Sequence, residues 1–289
     1  MNMKQLILII AILFLLSGCS LSAASADIAA TTLPVYDFTA RLCQGTDLVV
    51  TRLVTESVSC LHDYTLKVDQ MRAIEGAHLV IINGCGLEEF LEDALDASQC
   101  VVDSSAGMHL LEGHHHDHGD GNVHAEDPHI WLSPNNAKIM ATNICHALSD
   151  QYPQHREIFA QNLTSLLSDL DALQAYGEAQ LSDLSCRQLI TFHDGFGYLA
   201  ESFHLTILRA MEEESGSEAS AYELIDLIEE VDHHQLPALF TEKNGSVSAA
   251  GIISAETGIT VYALDMAMSG DSYFDSMYYN INTLKEALQ

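Results

Sequence analysis

Short apolar runs alternate with amphipathic stretches along most of the chain. Apolar runs of about four to eight residues predict buried strands, whereas apolar positions three or four residues apart predict helices. The sequence accordingly predicts strands at residues 48–54, 78–82, 100–103, 189–192, 238–241 and 260–264, and helices at 68–75, 87–97, 134–150 and 222–232. The segments 201–203, 249–257 and 273–288 continue the alternation. Strands that alternate with helices are typical of parallel sheets covered by helices, which is an α/β fold.

Residues 153–181 form the longest helical pattern in the chain. After Pro153 the stretch has no proline, and its apolar residues keep helical spacing at Ile158, Leu163, Leu166, Leu167, Leu170 and Leu173. At about 1.5 Å per residue such a helix is roughly 40 Å long, which suits it to bridging two lobes. We therefore expect two parallel-sheet α/β lobes, at residues 27–152 and 183–289, joined by one long rigid helix at 153–182.

The first 18 residues have the features of a lipoprotein signal peptide. Lys4 precedes an unbroken apolar run at residues 6–16, which is shorter than the roughly 20 residues of a membrane-spanning helix. The run ends in Leu-Ser-Gly-Cys, which resembles the bacterial lipobox. We expect cleavage before Cys19, lipidation of Cys19, a tether at residues 19–26 and attachment to the outside of the cell membrane. An ordinary secretory signal is the alternative.

The charge balance favours a cationic ligand. The chain has 11 Lys and Arg against 41 Asp and Glu, a net charge of −30, which argues against nucleic-acid binding. It also has 15 His. Five of them lie in a glycine-rich loop at 113–124, namely His114, His115, His116, His118 and His124. We expect this loop to collect metal ions at low affinity, and the alternative is a solvated loop without a role.

Six cysteines follow Cys19, and an exported protein can form disulfides between them. They are Cys43, Cys60, Cys85, Cys100, Cys145 and Cys186. The sequence does not choose between disulfide pairs and buried free thiols.

Four side chains that can bind a metal follow predicted strands or precede a helix. His62 follows the 48–54 strand, His129 precedes the helix at 134, and His193 and Asp265 close two later strands. Ligands of parallel sheets bind at the carboxyl ends of strands. Three imidazoles and one carboxylate suit Zn²⁺ rather than the oxygen-seeking Mg²⁺ and Ca²⁺.

Neighbouring polar residues are candidates to orient these ligands through hydrogen bonds. They are Asp63, Tyr64, Asp194 and Glu242. A secreted zinc hydrolase is an alternative, in which Asp265 would be a base beside a three-His zinc site. The sequence has no His-Glu-x-x-His run that would support this alternative.

Five motifs along the chain carry a family resemblance. They are Leu-His-Asp-Tyr at 61–64, Asn-Gly-Cys-Gly-Leu-Glu-Glu-Phe at 83–90, Asp-Pro-His-Ile-Trp-Leu-Ser-Pro at 127–134, Phe-His-Asp-Gly-Phe-Gly-Tyr-Leu at 192–199 and Gly-Asp-Ser-Tyr at 270–273. In order and spacing they resemble the zinc- and manganese-binding solute-binding proteins of ABC transporters (cluster A-I).

The resemblance implies a metal ion in the cleft between two lobes, held by His62, His129, His193 and Asp265. It implies a monomeric receptor, not an enzyme, that captures Zn²⁺ outside the cell and delivers it to a membrane permease. Manganese members of this family carry Glu where His193 stands, so His193 favours zinc, with Mn²⁺ as the alternative metal. A metal-dependent adhesin of the same fold is the other alternative.

Overall fold

The computed structural model describes residues 26–56, 61, 64–91, 94–95, 100–112, 126–211 and 220–289. The predicted signal peptide, Cys19, Cys60, His62, Asp63 and the His-rich loop at 113–124 lie outside these residues. Within them, no helix is both long enough and apolar enough to cross a bilayer.

The first sheet has four parallel strands in the order β2-β1-β3-β4. The strands are β1 (Ile28–Ala30), β2 (Val50–Arg52), β3 (Leu79–Ile82) and β4 (Cys100–Asp103), with helices α1 (Leu33–Leu42) and α2 (Val68–Gly76) between them. Ile28 pairs with both Val50 and Leu79, so β1 lies at the centre of the sheet. The residues of β1 are fully buried, as expected of a central parallel strand covered on both faces.

The second sheet repeats this topology in the order β6-β5-β7-β8, again with parallel strands. Its strands are β5 (Gln188–Thr191), β6 (Thr206–Ala210), β7 (Ala238–Glu242) and β8 (Thr260–Leu264), and its helices are α5 (Gly197–Ser202), α6 (Ala221–His234), α7 (Ser248–Thr257) and α8 (Tyr273–Leu288). Because the first strand is central in both sheets, the two lobes have equivalent carboxyl edges.

A helical segment connects the two sheets. Helix α3 (Pro134–Gln151) begins with Pro134 at its first turn and with the Ser133 side chain accepting a hydrogen bond from the Asn136 N–H. A short 3₁₀ turn at Pro153–His155 leads into helix α4 (Arg156–Gln180). Helix α4 packs against α1, α3 and α8, and so contacts helices of both lobes. The predicted fold class, two parallel-sheet α/β lobes with one long helix, is confirmed.

One hydrophobic core runs through both lobes. It contains residues of the first sheet such as Ile28, residues of α4 such as Leu170, and residues of α8 such as Met277. Trp131 is fully buried in it. The lobes therefore share this core, and each lobe also has a smaller hydrophobic cluster of its own.

The helix predicted at 87–97 is wrong in the part that the structure describes. There the chain forms turns and one 3₁₀ turn at Glu89–Leu91. Positive φ angles at Gly84, Cys85 and Gly86 turn the chain sharply before this segment. Strand β6 was not predicted, because its half-buried TILRA sequence has no clear two-residue alternation.

All five cysteines within the described ranges are free thiols. Cys43 and Cys145 are buried. Burial raises the pKa of the Cys43 thiol to about 12, so it is an uncharged apolar group at neutral pH.

Candidate metal centre

Two imidazoles, one from each lobe, meet in the interior. The Nε2 atoms of His129 and His193 are 3.4 Å apart, and the rings are nearly perpendicular at 86°. His129 is 6% exposed and His193 is 7% exposed. With zinc–nitrogen bonds of about 2.0–2.1 Å, two nitrogens on one tetrahedral ion are separated by about 3.3 Å. The observed separation therefore matches two ligands of one zinc ion.

Asp127 fixes the orientation of His129. Its Oδ1 atom accepts a hydrogen bond from the His129 N–H at 2.9 Å and lies 2.8 Å from His129 Nδ1. An imidazole held at Nδ1 by a carboxylate presents Nε2 to a metal, which is a common arrangement behind metal-binding histidines. Sequence reasoning assigned no role to Asp127. The sequence signal that could have identified Asp127 is its position two residues before His129 in the motif at 127–134.

His193 lies two residues after the end of β5, beside the end of the neighbouring strand β7. Its Nδ1 atom is 3.8 Å from Oε2 of Glu242, and Glu242 is buried at the last position of β7. Gly195 lies against the other side of the ring, since a Cβ atom there would be 2.7 Å from His193 Cδ2. Neighbouring groups thus confine the His193 ring on two sides.

Asp265 is buried directly after β8, and its conformation is set by Asn280 of α8. Asn280 accepts a hydrogen bond from the Asp265 N–H and donates one to its carbonyl, both at 2.7 Å. The Asp265 carboxylate accepts hydrogen bonds from the Ala267 N–H at 2.8 Å and from Lys243 Nζ at 2.9 Å. Lys243 also lies over the ring of Tyr279, at 3.5 Å. Sequence reasoning missed Asn280 and Lys243, because these contacts join separate elements.

The segments that carry His129 and Asp265 are linked through Trp131. The indole Nε1 donates a hydrogen bond to the Met266 carbonyl at 2.7 Å, and the Tyr273 hydroxyl donates one to the Trp131 carbonyl at 2.8 Å. All three side chains are almost fully buried. These two hydrogen bonds hold the segment that carries His129 and the segment that carries Asp265 in a fixed position relative to each other.

Of the predicted ligands, the structure brings His129 and His193 together. No group of three or more His, Cys, Asp or Glu side chains that could hold a metal occurs among the residues described by the structure, which exclude His62. The Tyr64 hydroxyl donates to Glu56 at 2.6 Å and accepts from Gln70 at 2.5 Å. The four-ligand set and the orienting roles of Asp63, Tyr64, Asp194 and Glu242 stay predictions.

A cavity of about 400 Å³ is lined by both apolar and acidic side chains, and it includes Asp127, which contacts His129, and Asp194, which follows His193. Four of its lining residues are Glu112, Asp127, Asp194 and Glu201. Glu112 also forms an antiparallel bridge with Glu126, so the chain leaves for residues 113–125 and returns from them next to this cavity. Carboxylates in this lining favour the entry of a cation into the cavity.

The two linked α/β lobes and the buried imidazoles between them define a two-lobed solute-binding protein of the metal-binding class. The chain belongs to the ZnuA family, zinc-uptake complex component A, periplasmic, whose model matches residues 28–287. This confirms the family predicted from the five motifs.

Individual relatives agree with this assignment. A putative metal-binding protein of Treponema pallidum is 29% identical over 96% of this chain and 93% of its own length. The zinc-binding lipoprotein AdcA of Streptococcus pneumoniae is 29% identical over 90% of this chain, which spans 55% of AdcA. A crystal structure of ZnuA matches with a TM-score of 0.81 and 29% identity, covering 92% of this chain and all of that one.

Proposed function

We propose that this protein is an extracytoplasmic receptor that binds Zn²⁺ tightly and delivers it to the permease of an ABC transporter. The observation that carries the proposal is the 3.4 Å separation between Nε2 of His129 and Nε2 of His193. Membership in a zinc-uptake family and the net charge of −30 agree with a cationic cargo. The function requires no catalytic step.

We propose His62, His129, His193 and Asp265 as the zinc ligands. Imidazole nitrogens are borderline ligands that suit zinc, and one carboxylate completes a closed four-coordinate site. Asp127 supports His129, and Glu242 lies next to His193. A closed site of this kind stores the ion and leaves no position for a reactive water, which distinguishes a receptor from a hydrolase.

Two further parts of the proposal come from the sequence. Lipidation at Cys19 would keep the receptor at the membrane surface, close to its permease. The His-rich loop at 113–124 would raise the local zinc concentration, since Glu112, which directly precedes it, lines the cavity together with Asp127.

Competition against a chromophoric zinc chelator tests the proposal, because the chelator masks weak sites such as those of the loop. We expect one tight zinc ion per chain. His193→Ala should weaken this binding by at least about 100-fold, because it removes a ligand. His146→Ala, which removes an exposed imidazole on α3, is the matched control and should bind zinc as the native chain does. Tight binding by His193→Ala would refute the assigned site.

A further inference from the structure

The motif at residues 83–90 contains none of the proposed zinc ligands. It begins directly after β3, at the carboxyl edge of the first sheet. Gly84 and Gly86 adopt φ angles of 93° and 76°, a region that favours glycine. A Cβ atom at Gly84 would lie 1.9 Å from Oδ1 of Asp103, so the backbone passes tightly against the end of β4. The turn is thus built against the sheet edge.

A buried carboxylate, Glu88, holds this turn in place. Its Oε1 atom accepts hydrogen bonds from the Thr31 hydroxyl at 2.6 Å and from the Asn83 N–H at 2.7 Å. Its Oε2 atom accepts one from the Gly84 N–H at 3.1 Å. Thr31 follows β1 and Asn83 follows β3, so one side chain ties together the ends of two strands. Hydrogen bonds of this kind offset the cost of burying a carboxylate.

Asn83 carries the connection to the histidine pair. Its side chain is fully buried, and Nδ2 donates hydrogen bonds to the Gly84 carbonyl at 3.1 Å and to the Pro128 carbonyl at 3.0 Å. Its own carbonyl accepts a hydrogen bond from the Ser104 hydroxyl at 3.0 Å. Pro128 directly precedes His129, so Asn83 holds the backbone from which the imidazole projects.

We propose that Asn83 and Glu88 are positioning residues for the zinc ligand His129. Glu88 fixes the turn, Asn83 fixes the Pro128 carbonyl, and Asp127 then aims the ring. The inference rests on the proposed zinc site. The positioning of His129 matters for zinc binding because metal–ligand distances vary by only about 0.2 Å. A small backbone shift at Pro128 would therefore move His129 Nε2 beyond bonding distance of the ion.

The sharpest test is Asn83→Asp, which keeps the size of the side chain and places an oxygen opposite two carbonyls. We expect zinc affinity to fall about 10- to 100-fold, the usual effect of losing a partner behind a metal ligand. The visible absorption of the Co²⁺-loaded protein should change as well, because it reports ligand geometry and not stability. Glu88→Gln provides a second, independent variant, since its amide would oppose a backbone N–H. Glu89→Gln makes the same charge change at an exposed neighbour and should leave both measurements unaltered.

The outcomes separate this inference from the proposed function. If the native chain binds no zinc tightly, the proposed function fails. If the native chain binds zinc and both variants keep its affinity and its cobalt spectrum, the positioning role is wrong while the receptor stands. Lower unfolding free energy with an unchanged cobalt spectrum would also overturn it, because the two residues would then only stabilise the fold. Weaker zinc binding with an altered spectrum in either folded variant supports it.

Discussion

Replacing Gly195 by alanine should weaken metal binding at the candidate centre, although Gly195 is not itself a proposed ligand. A Cβ atom at this position would lie 2.7 Å from Cδ2 and 2.8 Å from Nε2 of His193. It would also lie 2.7 Å from Cε of Met266, but that methyl group is at the end of a flexible side chain and can move at little cost. The imidazole cannot move without changing the position of Nε2.

The size of the effect follows from these distances. Non-bonded carbon atoms prefer separations of about 3.5–4.0 Å, so the ring must retreat by roughly 1 Å. Zinc–ligand distances tolerate only about 0.2 Å, so the displacement is several times larger than the site allows. We expect a loss of about 100-fold in zinc affinity, which corresponds to about 2.7 kcal/mol.

The assay is chelator competition, with the unfolding free energy measured separately in the presence of EDTA. Gly251→Ala is the matched control, because Gly251 lies in α7 and a Cβ atom there meets nothing within 4 Å. That control should keep the native affinity and gain about 0.5–1 kcal/mol of stability, as expected for alanine in a helix. Native zinc affinity in Gly195→Ala would show that His193 does not bind the ion in the orientation described.

Two other predictions concern the carboxylates. Burial raises the pKa of Glu88 from its ordinary 4.5 to about 7, so the folded chain holds a proton that the unfolded chain releases between these values. The unfolding free energy in EDTA should therefore fall as the pH rises from 4.5 to 7, by on the order of 3 kcal/mol. Urea titrations of Glu88→Gln should lack this decrease. The same pH dependence in the native chain and in Glu88→Gln would contradict the prediction. Separately, Lys243 donates a hydrogen bond to the Asp265 carboxylate, so it would compete with a metal ion for the proposed ligand Asp265. Lys243→Met should therefore bind zinc up to about fivefold more tightly, with Lys285→Met as the control, whereas weaker binding would mean that Lys243 orients Asp265.

The sequence predicted the elements that local patterns determine. Strands β2, β3, β4, β5, β7 and β8 and the long helix follow from the apolar pattern, whereas β1 and β6 were not predicted. Helix α3 begins at Pro134, where the sequence predicted a helix. The helix predicted at 87–97 was wrong in its described part, because apolar spacing did not reveal that the Glu88 carboxylate binds the backbone N–H groups of the preceding turn. Local pattern does not report a buried side chain that competes with helix formation.

Hydrogen bonds between distant parts of the chain could not be predicted from the sequence either. Asn280 supports Asp265 from 15 residues away, and Asn83 reaches Pro128 from 45 residues away. Both asparagines would suit a surface turn equally well by residue type. Only the fold shows that they are buried and hold the backbone beside candidate ligands, so the strand-end rule could point to the site but not to what orients it.

The links between the lobes bear on how a receptor of this kind can release its cargo. Trp131 donates to the carbonyl of Met266, and Arg52 of the first sheet donates to the carbonyls of Met268 and Gly270. A wide opening of the cleft would break these bonds and expose Trp131, and each buried group left without a partner costs about 1–3 kcal/mol. Helix α4 and the shared core oppose the same motion. We therefore expect zinc release to involve a local shift of one ligand-bearing segment while the lobes stay packed together.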